Sequence, residues 1–566
     1  MALFQRNSLL VFFVISSFLL LWNGNYPKLI DAFDIKKVSP IADWVWLGAL
    51  TSSSIRINVG LNTTASLRHN ANIQILVESV HDDNDDIQIF SRKYLAIKEI
   101  LLDPPIYYHK VKDGTMMENR IVHFHLRDLP YPKTKYRFQV QWHEAMTDNN
   151  EELITLKEGF FRSAEIEGDY WNFTFAFSSC MNSRSEGYVF DHMNMNNDNK
   201  PDIFVHLGDL HYDNINEHNI TKYRWSMWNA LARTDAGKSM LTTQIPMAYM
   251  YDDHDFNDNN CDKYAPGKHS ALQTYREFVP HYPLSSITTN DNDNPIHQSF
   301  LLGDVLFILT DLQSQRSPEN QKDDHQKSIL GTQQKQWFRE LLQESSKFSL
   351  IVWCSTTPWI DDERKWGNYA TERDEIISMM QNYGLSNKFI IISGDAHMIA
   401  VDNGTYSYGH IPVFQAAALG RNGKIKGGPF SHGVFPGIGQ YGTIQINHTL
   451  HGKVCLQFTG HRVLSKDDHM IVQTYNTCTQ ESLHPDSLYI PPPIYMRKLQ
   501  RIVKRIKKAY KRFMKRNQKK YPALKSVEAV MSSVIFSMVL ILSIIALTCR
   551  IFWNNLRHKK VKKKKD

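Results

Sequence analysis

"PDIFVHLGDLHYDNI", residues 201–215, begins as a strand and stops abruptly at an acid. Ile203–Leu207 is a short apolar run bounded by turn signals, the pattern of a strand buried on both faces. Gly208 permits a sharp backbone turn after it. In open α/β sheets functional residues gather where strands end, so Asp209 is a candidate metal ligand, with Tyr212 as a second. His206 reads as a buried residue of the strand, and His211 has no assigned role.

The same ending recurs along the chain. "NFTFAFSS" runs into Cys180, "IPMAYMY" into Asp252, Asp253, His254 and Asp255, and "KFIIISG" into Asp395 and His397. Taken singly, each has a plain structural explanation. Gly-Asp after a strand makes a turn, a lone cysteine is a small core residue, and "DDHDFNDNNCD" is a solvated loop without the glycine and final glutamate of an EF-hand. Taken together, carboxylates, a thiol, a phenol and imidazoles at the ends of successive buried strands describe a metal cluster.

Between these strands lie helical patterns such as "GTQQKQWFRELLQESS" and "TERDEIISMMQNYG". Residues 168–480 therefore read as an α/β domain. Residues 38–165 read as an all-β sandwich, because "WVWLGALTSSSIRINVGL", "NIQILVESV" and the strands around Pro130–Pro132 alternate with turn signals between them.

The ordered set "FSSC", "HLGDLHY", "YDDHDF", "TDLQSQR" and "SGDAH" resembles the PhoD-like (alkaline phosphatase D) family of the calcineurin-like metallophosphoesterases. "LGTQQKQWFRELL" and "ERKWGNYATERDEI" resemble that family's connecting segments, so that the likeness covers about residues 40–460. It implies an α/β fold with a two-layer β-sheet flanked by helices, preceded by a fibronectin-like domain. It also implies phosphomonoesterase or phosphodiesterase activity. Cys180, Asp209, Tyr212, Asp253, Asp395 and His397 match metal positions, His254 the histidine that approaches the phosphate, and Asp311 and Arg316 the segment that supplies a phosphate-binding arginine. Thiolate and phenolate suit trivalent iron, and an all-oxygen shell suits calcium or another hard ion. Two such ions would activate hydroxide for in-line displacement, with His254 protonating the leaving oxygen and Arg316 neutralising the phosphoryl oxygens. The chain departs from the family at Gln313, where Asp-x-Arg-x-x-Arg is usual, and at Leu210-His211.

The chain has 566 residues and a net charge of +7. Two basic blocks, Arg497–Lys525 and Arg550–Lys565, account for all of that charge. It therefore gives no reason to expect nucleic-acid binding by the main domain. Residues 1–25 read as a signal peptide or signal anchor, 494–525 as a basic amphipathic helix, and 550–566 as a basic tail whose KKKD end matches a dilysine retrieval signal. Residues 529–549 hold no charge over 21 positions, the length of a transmembrane helix. The catalytic domain is then expected in the lumen or outside the cell, where five Asn-x-Ser/Thr sites, at Asn62, Asn172, Asn219, Asn403 and Asn447, would be accessible. Cys455 and Cys478 could pair across a hairpin. No Gly-x-Ser-x-Gly, P-loop or His-Glu-x-x-His motif is present. The reading is a membrane-anchored phosphoesterase acting on a phosphate ester, with a lipid or glycolipid as one candidate substrate. The competing reading is a catalytically weak or inactive scaffold, for which Gln313 is the main support. Nothing in the sequence specifies an oligomeric state.

Overall fold

A computed structural model describes residues 41–64, 72–80, 90–103, 117–145, 151–182, 185–195, 200–285, 294–361, 365–449 and 453–479. The chain divides into two units, 1–489 and 490–566, and all the described residues belong to the first. The leader, the basic helix, the span at 529–549 and the basic tail lie outside them. Among the described residues no helix is long and apolar enough to cross a membrane.

The leading segment is all β: β1 (Ile41–Gly48), β2 (Ile55–Thr64), β3 (Asn72–Val80), β4 (Ser91–Leu95), β5 (Lys98–Leu102), β6 (Met117–Leu126), β7 (Lys135–Ala145) and β8 (Glu151–Arg162). Then come β9 (Phe173–Ser178), β10 (Ile203–Leu207), β11 (Met247–Met250), β12 (Gln298–Leu302), β13 (Val305–Leu309), β14 (Leu350–Ser355) and β15 (Phe389–Ser393). The last are β16 (Met398–Asp402), β17 (Val413–Gln415), β18 (Val434–Pro436), β19 (Gln440–His448), β20 (Val454–Ser465) and β21 (Asp468–Cys478).

Strands β4-β3-β7-β8 make a four-stranded sheet facing β2 and its neighbours. Ile55, Ile57, Val59 and Leu61 of β2 alternate into one core with Ile75, Val77, Phe138 and Val140. This leading sandwich does not close on itself. Gly48 of β1 pairs in parallel with Met247 of β11, so the order β21-β20-β19-β9-β10-β11-β1-β2-β6-β5 forms one ten-stranded sheet.

A seven-stranded sheet, β12-β13-β14-β15-β17-β16-β18, packs against it. Phe175 of β9 meets Phe307 of β13 edge-on at 5.2 Å between centroids. Val205, Val352 and Ile392 fill the same layer. Helices Ile220–Ala232 and Lys268–Phe278 cover the outer face of the larger sheet through Trp228, Leu231, Leu272 and Phe278. Gly331–Glu344 buries Gln334, Phe338 and Leu342 at four-residue spacing against the smaller sheet. The result is a mixed α/β fold of two sheets flanked by helices, both faces of each central strand being covered as the apolar runs predict.

Strands β9, β10 and β11 are parallel neighbours in one sheet, and β13, β14 and β15 are parallel neighbours in the other. Cys455 and Cys478 sit opposite each other on β20 and β21 and form a disulfide.

The core holds several neutral histidines. Burial pushes His206 and His461 down to about 3 and His281 and His297 to about 4. In the unfolded chain these rings take a proton near pH ~6.5. The unfolded state therefore binds more protons below that pH, and their contribution is complete above ~6.5 and lost as the pH falls toward 4. The melting temperature is expected to drop between pH 7 and pH 4.5, with a shallower drop in His206→Phe. A flat profile in calorimetry over that range would contradict this.

Candidate metal centre

The parallel strands of both sheets deliver their C-terminal ends to one place. Cys180 follows β9, Asp209 follows β10, and Asp252 and Asp253 follow β11. From the second sheet, Thr356 follows β14 and Asp395 follows β15. The backbone there is bent into the left-handed region, with positive φ at Cys180 (61°), Asp209 (57°), Lys365 (51°), Asp395 (58°) and His397 (52°). Non-glycine residues pay a steric cost for that conformation, and such residues cluster at functional sites. Gly208 has φ 83°, and a Cβ there would lie 2.5 Å from the Asp252 nitrogen, so the turn that aims Asp209 admits only glycine.

Asp255 holds this loop. Its carboxylate accepts from the backbone N–H of Asp209 (2.5 Å), Leu210 (2.7 Å), His211 (3.2 Å) and Asp252 (3.1 Å). His211, unassigned from sequence, thus has its backbone in the cap. His206 is fully buried between the rings of Phe204 and Tyr249.

Three ligand types converge on one oxygen. The Asp209 Oδ2 accepts from the Tyr212 hydroxyl at 2.7 Å and from the Cys180 thiol at 3.4 Å. Asp209, Asp253 and His254 form a second grouping whose ligand atoms lie within 4.8 Å of one another. His254 places Nδ1 2.6 Å from Asn214 Oδ1, which accepts the N–H and leaves Nε2 with its lone pair. His397 donates from Nδ1 to the Asn422 carbonyl at 3.1 Å and stands outside that second grouping.

The pocket carries more negative charge than it pairs. Asp209 Oδ1, Asp252 Oδ2 and Asp253 Oδ1 are buried without a hydrogen-bond partner. Burial first, then the charges of Asp253, Asp252 and Asp255, raises Asp209 well above the usual carboxylate range. Burial and Asp253 push Asp252 up to about 8. Burial, with Asp209 and Asp395 beside it, raises the Cys180 thiol, and burial with Asp209 raises the Tyr212 phenol. Unpartnered acid oxygens beside a thiol and a phenol are the donor set of a cation site, since a bound cation would favour the ionised form of each. The residues present fit a metal ion.

One expected substrate contact is placed otherwise. Asp311 is not free to meet a substrate. It accepts from the Tyr251 hydroxyl and from the backbone of Ile296, Gln313 and Ser314, and from the Ser314 hydroxyl, so it is the buried cap of its own turn. Arg316 is 1% exposed and donates to Glu319 at 2.7 Å and to the Tyr369 hydroxyl at 3.1 Å. Those bonds use two of its five N–H groups, and its charge acts on Asp253.

The cations that do stand at the site were not foreseen. Lys365 reaches Asp253 Oδ2 at 2.9 Å and Asp395 Oδ2 at 3.6 Å. Lys426 reaches Asp395 Oδ1 at 3.1 Å. The Arg421 guanidinium lies 4.3 Å over the Tyr212 ring. Gln313 is fully buried and donates to Asp252 Oδ1, an oxygen that Thr356 also meets at 2.9 Å. No spacing in the sequence marks these residues, because they reach the site from connections far apart in the chain, Gln313 after β13, Lys365 after β14, and Arg421 and Lys426 between β17 and β18.

Asp255→Ala removes the acceptor of four backbone donors. Each unsatisfied buried donor costs ~1–3 kcal/mol, so the variant is expected to unfold at markedly lower denaturant than Asp255→Asn, which keeps an oxygen. Equal midpoints for the two in urea would refute the cap.

Residues 175–415 match the family model described as PhoD-like phosphatase. Among solved structures, PhoD aligns with 78% of this chain and 90% of its own, at TM-score 0.55 and 17% identity. A purple acid phosphatase from yellow lupin (Lupinus luteus) seeds aligns with 77% of this chain and 74% of its own, at TM-score 0.51 and 13% identity. At such identities the structural likeness concerns the fold. No curated protein matches the chain by sequence.

Proposed function

We propose that this chain, whose residues 175–415 form a PhoD-like phosphatase domain, is a metal-dependent phosphoesterase. The observation that carries the reading is the set of buried, unpartnered oxygens of Asp209, Asp252 and Asp253 beside Cys180 and Tyr212. Buried acid oxygens without partners call for a cation. Cys180, Asp209 and Tyr212 would hold a trivalent iron on one side, and Asp253, His254, Asp395 and His397 supply further donors. A bound ion would supply Lewis-acid polarisation of a phosphoryl oxygen and activation of water.

The chain's own groups do the rest. The Asn214 contact fixes the His254 ring so that Nε2 faces outward from its anchored edge. Burial keeps that ring neutral by lowering its pKa, which favours an accepting role over that of a standing acid. Arg421, above Tyr212, is the guanidinium with room to bind a phosphoryl oxygen, a contact that planar bidentate donors make well. It takes the role that the sequence pattern suggested for Arg316.

A second reading, a weak or inactive scaffold, is favoured by one observation. Asp311 is saturated by the chain itself. The Cys455–Cys478 disulfide supports a lumenal or extracellular domain, with anchoring through 529–549 and a lipid or glycolipid ester as the finer proposals.

The test is hydrolysis of p-nitrophenyl phosphate and bis-p-nitrophenyl phosphate by the solubilised full chain, with and without chelator. Turnover is expected to be chelator-sensitive and lost in Cys180→Ser and Asp209→Asn. A folded chain that hydrolyses neither ester and holds no metal would sink the reading, whereas metal without turnover favours the scaffold. Arg421→Ala is expected to lower kcat/KM by ~10-fold or more, about 1.4 kcal/mol or above, with metal content unchanged. Unaltered kinetics would remove Arg421 from the substrate site.

A further inference from the structure

We propose that Lys365 is a built-in cation of this centre, so that the acid cluster takes one metal ion, at Asp209, rather than two. The inference rests on the metal-dependent reading above and concerns how many ions that site holds.

Lys365 is 1% exposed, and the two carboxylates it meets come from different sheets. Asp253 follows β11 of the ten-stranded sheet and Asp395 follows β15 of the seven-stranded one. The ammonium therefore stands between them, on the side of the centre away from the Cys180 thiol and Tyr212 phenol contacts to Asp209, where the carboxylates of Asp253 and Asp395 are the oxygen donors. That is the side on which a hard second ion such as calcium is anticipated from the donor types.

Several of the oxygens such an ion would use are already engaged. Asp253 Oδ2 accepts from Lys365 at 2.9 Å and from the Asn260 backbone at 2.8 Å. Asp395 faces Lys365 with Oδ2 and Lys426 with Oδ1. Asp252 Oδ1 accepts from Gln313 and Thr356. What remains without a partner is Asp209 Oδ1, Asp252 Oδ2 and Asp253 Oδ1. Asp209 and Asp253, with His254, form the one group of His, Cys, Asp and Glu among the described residues compact enough for an ion.

Charge leads to the same count. A buried ammonium persists only where carboxylates offset its desolvation, and Lys365 has two of them in contact. A divalent ion brought into the same interval would meet an immobile like charge at close range, in a medium where such repulsion is strong. Loss of the ammonium would remove that repulsion and let a second ion approach the Asp253 and Asp395 carboxylates. Lys365 acts through these carboxylates and so is a positioning residue.

The experiment is elemental analysis of the purified full chain after dialysis against buffered calcium and iron, counting metal ions per chain. The native protein is expected to hold one, Lys365→Arg one, and Lys365→Ala two. Two ions in the native chain, or one in Lys365→Ala, would overturn the inference while leaving the phosphoesterase reading intact. A native chain with no metal would sink that reading and this inference together. If Lys365→Ala does not fold, the native count alone still decides between one ion and two.

Discussion

The Asp255 carboxylate collects the backbone N–H groups of Asp209, Leu210, His211 and Asp252, and the geometry of the centre depends on that cap. It ties the turn after β10 to the turn after β11, two neighbouring strands of one sheet. Without it the Gly208–Asp209 corner would have four buried donors and no acceptor. With it, Asp209 is held at positive φ, and its side chain meets Cys180 from the strand on the other side. A negatively charged acceptor makes the cap strong, because charge-assisted hydrogen bonds exceed neutral ones. It also adds one more acid to a place already crowded with them.

That crowding is the second constraint. Asp209, Asp252, Asp253 and Asp395 act on one another electrostatically. The fold answers with fixed cations rather than with solvent. Against the cost of burial, Lys365 holds Asp253 below the ordinary carboxylate range, whereas Asp209, with no cation in contact, is pushed up. The two aspartates thus differ sharply although both end a buried strand. The place where the protein sets no cation against its buried acid is Asp209, and that is where the residues fit a metal ion.

Much of this was legible in the sequence, for definite reasons. Continuous apolar runs such as Ile203–Leu207 have to be covered on both faces, so the buried strands and the acid at each strand end could be read directly, while the two-layer sheet followed from the family resemblance. The join between the leading strands and the larger sheet could not be read, because a single parallel contact at Gly48 carries it. Asp311 misled because an acid after a strand looks the same whether it caps its own turn or faces a ligand. The difference lies in the Tyr251 hydroxyl and the Ile296 nitrogen, which arrive from elsewhere in the chain. Lys365 was hidden for the opposite reason. It is a lysine among charged residues, and its neighbour Trp366 is packed inward against Trp353 and Trp359, which arrive from other parts of the chain.

Gln313 shows how these parts fit one another. Where the family pattern has an arginine, this chain has an amide, and from sequence alone that reads as a lost phosphate clamp. In the folded chain the amide is fully buried and donates to Asp252 Oδ1. Gln313 meets Asp252, whereas Lys365 meets the neighbouring Asp253 and Asp395. A neutral donor satisfies the Asp252 oxygen without adding charge beside that ammonium. Elsewhere at the centre a positive charge does stand, at Arg421, over the Tyr212 ring.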